Sequence, residues 1–217
     1  MLKFRHILQI AVTAAALLSN VSYAALATTA TVYLKSDPGS YIGGAIGAPA
    51  VTWTHGVDGI FSGGPNYGDY HRGVSINYND GNYWTFDFAA PSYNAATNTN
   101  GGQLLQVGLY NNAQRFPFNS PTKAGMDVSG NGRGDNTLSG WFRVLEIGYG
   151  ANGDLSRFAV DFRQFDENSH QSGPSLYGSL RFNSNIAINP VPEPETYAML
   201  LAGLALVAGI ARRRKQA

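Results

Sequence analysis

The chain has 217 residues, no cysteine, 26 glycines and a formal charge of +1. The missing cysteine excludes structural disulfides, thiol catalysis and cysteine-ligated zinc. Residues 25–190 hold nine Lys/Arg against twelve Asp/Glu, about −3, and so mild and mixed a charge leaves no electrostatic footprint for nucleic acid.

Residues 1–24 read as a secretory signal peptide. Lys3, Arg5 and His6 form the basic start, Ile7 to Leu18 the apolar stretch, and Ser22-Tyr23-Ala24 a small-x-small site with cleavage after Ala24. Export places the rest of the chain in an oxidising compartment. Residues 25–189 then make one domain, long enough for a single core.

That domain reads as β throughout, with short aromatic-rich runs bounded by Gly, Asn and Ser. Strands are expected at Thr29 to Lys35, Arg72 to Tyr78, Asn82 to Phe88 and Gln103 to Tyr110, then at Thr137 to Tyr149, Leu155 to Phe165 and Ser175 to Phe182. Asn79-Asp80-Gly81 is hairpin chemistry, because Gly supplies positive φ. Alternation is clear in Trp84, Phe86 and Phe88, and again in Phe158, Val160 and Phe162. No segment carries a 3.6-residue apolar stripe, so the expected fold is an antiparallel β-sandwich, jelly-roll-like.

Two Gly- and Asn-rich stretches, Gly56 to Tyr70 and Pro91 to Gly102, read as long loops. Long loops on a β scaffold are where binding usually sits. Tyr67, Tyr70, Trp84 and Tyr93 lie in or beside them, with Tyr78, Tyr83 and Tyr110 near. Aromatic faces with Asn and Gln partners hold sugars by stacking on the pyranose ring, so these four are the glycan candidates.

The run Asp127-Val128-Ser129-Gly130-Asn131-Gly132 with Asp135 imitates the start of a calcium loop, in which oxygen ligands alternate. Asp127, Ser129, Asn131 and Asp135 are therefore the candidate Ca²⁺ ligands. The imitation fails at the twelfth position, which is Leu138 and not Glu. His55, His71 and His170 have no metal-ligand spacing, and no nucleophile elbow, zinc-protease helix or phosphate loop appears. Glu146 and Asp161, on neighbouring expected strands, are the one carboxylate pair to nominate for glycoside hydrolysis.

The chain ends in a three-part tail over residues 190–217. Pro192-Glu193-Pro194 comes first, then an apolar helix expected over 196–211, then Arg212, Arg213, Arg214 and Lys215. The fifteen apolar residues from Tyr197 to Ala211 fall short of the roughly 20 that span a bilayer core comfortably. The basic cluster would stay cytoplasmic, leaving the β-domain on the far side. This tail resembles the PEP-CTERM sorting signal of Gram-negative bacteria. The resemblance implies a partner, a protease-transpeptidase of the exosortase type that recognises the Pro-Glu-Pro region and removes the span. It also implies an inner-membrane intermediate and delivery to the cell surface or exopolysaccharide matrix.

The middle of the chain, roughly 31–185, resembles exported β-domain proteins without assigned activity. The pattern runs through Arg115-Phe116-Pro117-Phe118, Gly140-Trp141-Phe142-Arg143-Val144 and Tyr177-Gly178-Ser179-Leu180-Arg181-Phe182. The resemblance implies cysteines in relatives at the positions of Asp135 and Asp166, as a disulfide, where this chain has two carboxylates. The expected function is a non-catalytic, exported surface or matrix protein that contacts exopolysaccharide and needs no cofactor. Its alternatives are a calcium-dependent adhesin-like or carbohydrate-binding module, and an exopolysaccharide hydrolase.

Overall fold

The computed structural model describes residues 25–67, 72–94, 97–150, 153–167 and 170–188. Thirteen strands follow one another: β1 (Ala25–Leu26), β2 (Ala30–Ser36), β3 (Ala50–Thr54), β4 (Ile60–Tyr67), β5 (Arg72–Asn79), β6 (Tyr83–Ala89), β7 (Tyr93–Asn94), β8 (Thr99–Asn100), β9 (Gly108–Arg115), β10 (Gly125–Gly130), β11 (Leu138–Tyr149), β12 (Leu155–Asp166) and β13 (Ser175–Phe182). The helical turn at Gly43–Ile46 is a single 3-10 turn. The signal peptide, the expected helix over 196–211, Pro192-Glu193-Pro194 and the Arg212–Lys215 cluster lie outside the described residues. Among the described residues no helix is long and apolar enough to cross a membrane.

Eleven strands form one sheet in the order β1-β4-β5-β6-β10-β9-β11-β12-β13-β2-β3, and β7 pairs with β8 apart from it. Every pairing between these strands is antiparallel except a two-residue parallel step, Gly125 with Gln114 and Met126 with Arg115. That step is a corner. The sheet turns over there, so that β1, β4, β5, β6 and β10 face the other six strands as two layers.

Period-two alternation decides what lies between the layers. Phe86 and Phe88 of β6 meet Phe142 of β11 and Phe158 and Phe162 of β12, with ring centroids 5.1–6.2 Å apart. Trp53 of β3 stacks on Tyr78 of β5 at 4.6 Å and 5°. Fully burying side chains of this size contributes about 1.5–3 kcal/mol each. One continuous core results, and all-β antiparallel architecture is as expected.

Several assignments change: β3 stands where no strand was expected, and the stretch Pro91 to Gly102 contains the short β7 and β8. The stretch Gly56 to Tyr70 contains β4, not loop alone: Gly63 lies in that strand because a Cβ there would stand 3.1 Å from the Phe182 ring and against Ile76. Its glycine is a close-packing residue, not a breaker. The strand expected at Gln103 to Tyr110 runs instead from Gly108 to Arg115. Finally, Gly125–Gly130 is strand β10, with Met126 and Val128 buried inward and Asp127 and Ser129 turned outward.

Candidate functional site: a groove beside Tyr93 and Tyr110

The long stretch from Pro91 to Val107 is tied into place by its own polar groups. The Ser92 carbonyl accepts the Gly101 and Gly102 N–H groups at 3.1 and 3.2 Å, and the Pro121 carbonyl accepts Tyr93 N–H at 2.8 Å. Gln103 Nε2 donates to the Tyr93 carbonyl at 3.2 Å. The Tyr110 hydroxyl accepts Gln106 N–H at 3.0 Å and donates to the Gln106 carbonyl at 3.1 Å.

These ties shape a groove of about 610 Å³. Tyr93, Tyr110, Leu104, Pro91 and Ala90 give it apolar walls, and Asn94, Gln103, Gln106 and Thr122 give it carboxamide and hydroxyl groups. No charged side chain lines it. The Tyr110 ring is fixed from behind by stacking on Phe142, 4.7 Å away at 15°, and the Tyr93 hydroxyl donates to Asn98 Oδ1 at 2.9 Å. Two held rings beside uncharged hydrogen-bonding groups suit an uncharged, polyhydroxylated ligand with one apolar face.

Of the four glycan candidates, Tyr93 lines this groove. Trp84 does not serve as a sugar platform: it is 2% exposed, packed against Trp53 and Phe86 with centroids at 5.4 and 6.3 Å. The alternation that placed it beside a loop also placed it on the core face of β6. Tyr70 and the Tyr67 side chain lie outside the described residues. Tyr110 is legible only as one of the aromatics near the loops, and Gln106 carries no sequence signal of its own, since the segment reads as strand.

The four residues of the calcium-like run are dispersed. Asp127 sits on the outer face of β10 directly opposite Asp87 of β6, with Arg115 Nε 3.5 Å from its Oδ2. Ser129 opposes Thr85. Asn131 takes a positive φ of 50° in the turn, donating from its backbone to the Tyr83 carbonyl at 3.0 Å. Asp135 is 1% exposed and accepts a 2.9 Å hydrogen bond from Gln164 Nε2. Among the described residues, no three His, Asp or Glu side chains converge as a metal site.

What does gather there is charge. Burial, then Asp87, push the Asp127 carboxyl up to about 6, against the pull of Arg115. Burial, then Asp166, push Asp135 up to about 7. The structure thus brings Asp135 and Asp166 within electrostatic reach, the two positions at which the resemblance expects cysteines. Burial also raises Asp166, although Tyr41 N–H donates to its Oδ2 at 2.5 Å. Buried Oδ1 atoms of both residues have no hydrogen-bond partner.

Residues 190–215 match the PEP-CTERM protein-sorting motif. The chain carries a PEP-CTERM sorting motif. The motif indicates a chain exported and sorted by an exosortase to the cell surface or beyond it. Comparison with characterised proteins and with solved structures gives no match.

The two remaining candidates, Glu146 and Asp161, each have partners. Glu146 lies 3.1 Å from Arg157 Nε and accepts a 2.6 Å hydrogen bond from Ser184 Oγ. Asp161 faces Arg143 across β11–β12 and accepts from Arg181 Nη2 at 2.9 Å. A β-bulge between Val144 and Glu146 puts one extra residue between the two pairings.

Proposed function

We propose that this protein is a non-catalytic component of the cell surface or extracellular matrix, and that its β-domain contacts exopolysaccharide through the Tyr93–Tyr110 groove. The observation that carries the reading is the groove's lining: two tyrosine rings, four carboxamide or hydroxyl side chains and no charge. A sugar ring placed on Tyr93 or Tyr110 buries its C–H face while its hydroxyls replace water on Gln103, Gln106 and Asn94. Polysaccharide is also what surrounds a protein delivered to a matrix.

Two features support a non-catalytic role. Glycoside hydrolysis needs one carboxyl free to donate a proton and another free to attack or activate water. Glu146 and Asp161 instead each hold an arginine, and Glu146 a serine as well. The groove itself has no carboxylate on its walls.

The test is binding of the purified protein to exopolysaccharide from its own cells, followed by titration calorimetry and a glycan array. Tyr93→Ala and Gln106→Ala are expected to weaken binding about tenfold or more, at 1–2 kcal/mol per lost stacking or hydrogen-bonding contact. Undiminished binding by both variants, or release of reducing ends from the polysaccharide, would overturn the reading.

A further inference from the structure

Strands β4, β5 and β6 bury one face and leave the other to solvent. Phe61, Tyr78 and Trp84 point inward, 0–2% exposed, so alternation turns Ile60, Ser62, Asn77, Asn79 and Tyr83 outward. Register sets the outward side chains in two rows across the three strands. Ile60, Asn79 and Tyr83 stand opposite one another in the first row, and Ser62, Asn77 and Thr85 in the second. Neighbouring strands lie about 5 Å apart. A cavity of about 500 Å³ lies over these rows, lined by Ile60, Ser62, Asn77, Asn79 and Tyr83.

The polar groups of this face are held in one direction. The Tyr83 hydroxyl donates to Asn77 Oδ1 at 2.6 Å, and Thr85 Oγ1 donates to the same oxygen at 3.4 Å. Asn79 Oδ1 accepts Gly81 N–H at 2.8 Å. Both carboxamides thus use their oxygens within the protein, and among the described residues no acceptor takes their Nδ2 hydrogens. The Tyr83 side chain is 56% exposed, yet its hydroxyl is tied down, so the ring is a fixed plane. Asparagine is a poor strand residue, and strand formation does not account for two of them on the outer face of β5.

Charge selects what this face can hold. No charged side chain lines the cavity. The turns that lead into it, residues 56–59 and 80–82, carry Asp58 and Asp80 and no Lys or Arg. An acidic sugar, a phosphate or a nucleic acid would meet two carboxylates there and no cation. A protein partner finds little apolar surface, since Ile60 and Tyr83 are the apolar side chains of the lining and a stable interface needs roughly 1,000 Å² around an apolar core. A neutral sugar fits. Its C–H face stacks on Tyr83 while its oxygens accept from Asn77 and Asn79.

We propose that this face is a second saccharide site, selective for neutral sugars, and that the β-domain is therefore bivalent. Bivalence rests on the reading of the Tyr93–Tyr110 groove as a polysaccharide site; the second site stands on its own contacts. Strand β6 joins the two, beginning at Tyr83 and ending at Ala89, next to Ala90 and Pro91 of the groove. Seven residues lead from Tyr83 to Ala90, about 23 Å of strand. Two sites so spaced hold two chains of a polymer, or two stretches of one, and the domain ties matrix strands together.

The experiment counts sites. Hexasaccharides released from the exopolysaccharide of the protein's own cells are separated into neutral and acidic fractions and titrated calorimetrically into the full chain. Wild type is expected to bind two neutral hexasaccharides. Tyr83→Ala or Asn77→Ala leaves one, Tyr93→Ala leaves one, and Tyr83→Ala with Tyr93→Ala leaves none. Tyr83→Phe keeps the ring but not its tie to Asn77, and weakens the site less than Tyr83→Ala. On whole polymer, loss of either site is expected to lower apparent affinity at least about tenfold, and wild type alone precipitates the polymer by cross-linking it. Unchanged melting temperatures in the Tyr83 and Asn77 variants separate lost binding from lost folding.

A wild-type stoichiometry of one that Tyr93→Ala abolishes overturns the second site and leaves the groove reading intact. A stoichiometry of one that Tyr83→Ala abolishes and Tyr93→Ala spares overturns the groove reading and bivalence, and keeps the site at Tyr83. Binding of the acidic fraction alone at Tyr83 overturns the assignment to neutral sugars. Binding of neither fraction overturns both sites.

Discussion

Replacing Asp135 by Asn is expected to stabilise the protein at neutral pH and to reduce a pH dependence that the wild type shows between pH 4 and 7, to which Asp127 and Asp166 also contribute. Asp135 is buried, faces Asp166, and accepts one hydrogen bond, from Gln164. Its carboxyl is raised from the usual 3.8 to about 7. Between those two values the unfolded chain has released the proton and the native state still holds it. The native state binds more protons, so stability falls as pH rises. The contribution is fully present below pH 3.8 and lost as pH passes through about 7. Across that interval the loss amounts to about 4 kcal/mol. Asn reproduces the uncharged form, and its Oδ1 accepts the Gln164 bond. Urea melts followed by near-ultraviolet circular dichroism at pH 4.5, 6 and 8 measure the effect. The variant should exceed wild type by about 1 kcal/mol at pH 4.5 and by about 4 kcal/mol at pH 8. A variant no more stable than wild type at pH 8, or an unchanged slope between pH 4.5 and 8, would refute the reasoning.

Three further outcomes follow from the packing. Gln164 spans the layers to accept Val128 N–H at 2.8 Å and donate to its carbonyl at 2.9 Å; Gln164→Leu orphans both groups and is expected to cost about 2–6 kcal/mol in a urea melt, at 1–3 for each. Trp84→Ala should cost about 3–5 kcal/mol and leave sugar binding by the folded fraction unchanged, whereas Tyr93→Ala should weaken binding with little loss of stability. Gly140→Ala should lower the melting temperature, because its Cβ would press on the Arg163 carbonyl and on Met126 Cε; overpacking of this kind costs about 1–3 kcal/mol, and an unchanged melting temperature would count against the packing described for β11.

The strands that announced themselves were those with one apolar face. Tyr83–Ala89 and Leu155–Asp166 alternate inward aromatics with outward polar groups, and period two is readable residue by residue. Of the strands that escaped, β4 and β10 did so because the same signals have two physical meanings. Gly63 marks a breaker when read alone, but against Phe182 it marks the point where two layers approach closely. Asp127 and Ser129 alternate as calcium ligands do, yet they alternate equally well as the outer face of a strand whose inner face is Met126 and Val128. The tail was legible for the opposite reason. Motif, apolar run and basic end are local, and no tertiary contact is needed to read them. The groove was not legible, because Tyr93 and Gln106 meet only after 91–107 folds back on itself.

Gln164 shows how a corner in a sheet creates a demand that sequence cannot display. The pairing of β9 with β10 ends at Met126, so beyond it one edge of β10 has no strand to complete it. Val128 would then bury a bare N–H and C=O between the layers, a cost of about 1–3 kcal/mol for each. A carboxamide carries one donor and one acceptor in nearly the geometry of a peptide group, and Gln164, 0% exposed, supplies both. Its Nε2 has a second hydrogen, which goes to Asp135. That bond needs an acceptor but not a charge, which is why Asp135 can stay protonated near neutral pH without losing its place. The buried carboxyl, the amide and the turned corner are one arrangement. Glutamate at position 164 would put a third carboxyl there and supply no donor for the Val128 carbonyl, so it is not an equivalent of glutamine despite its shape.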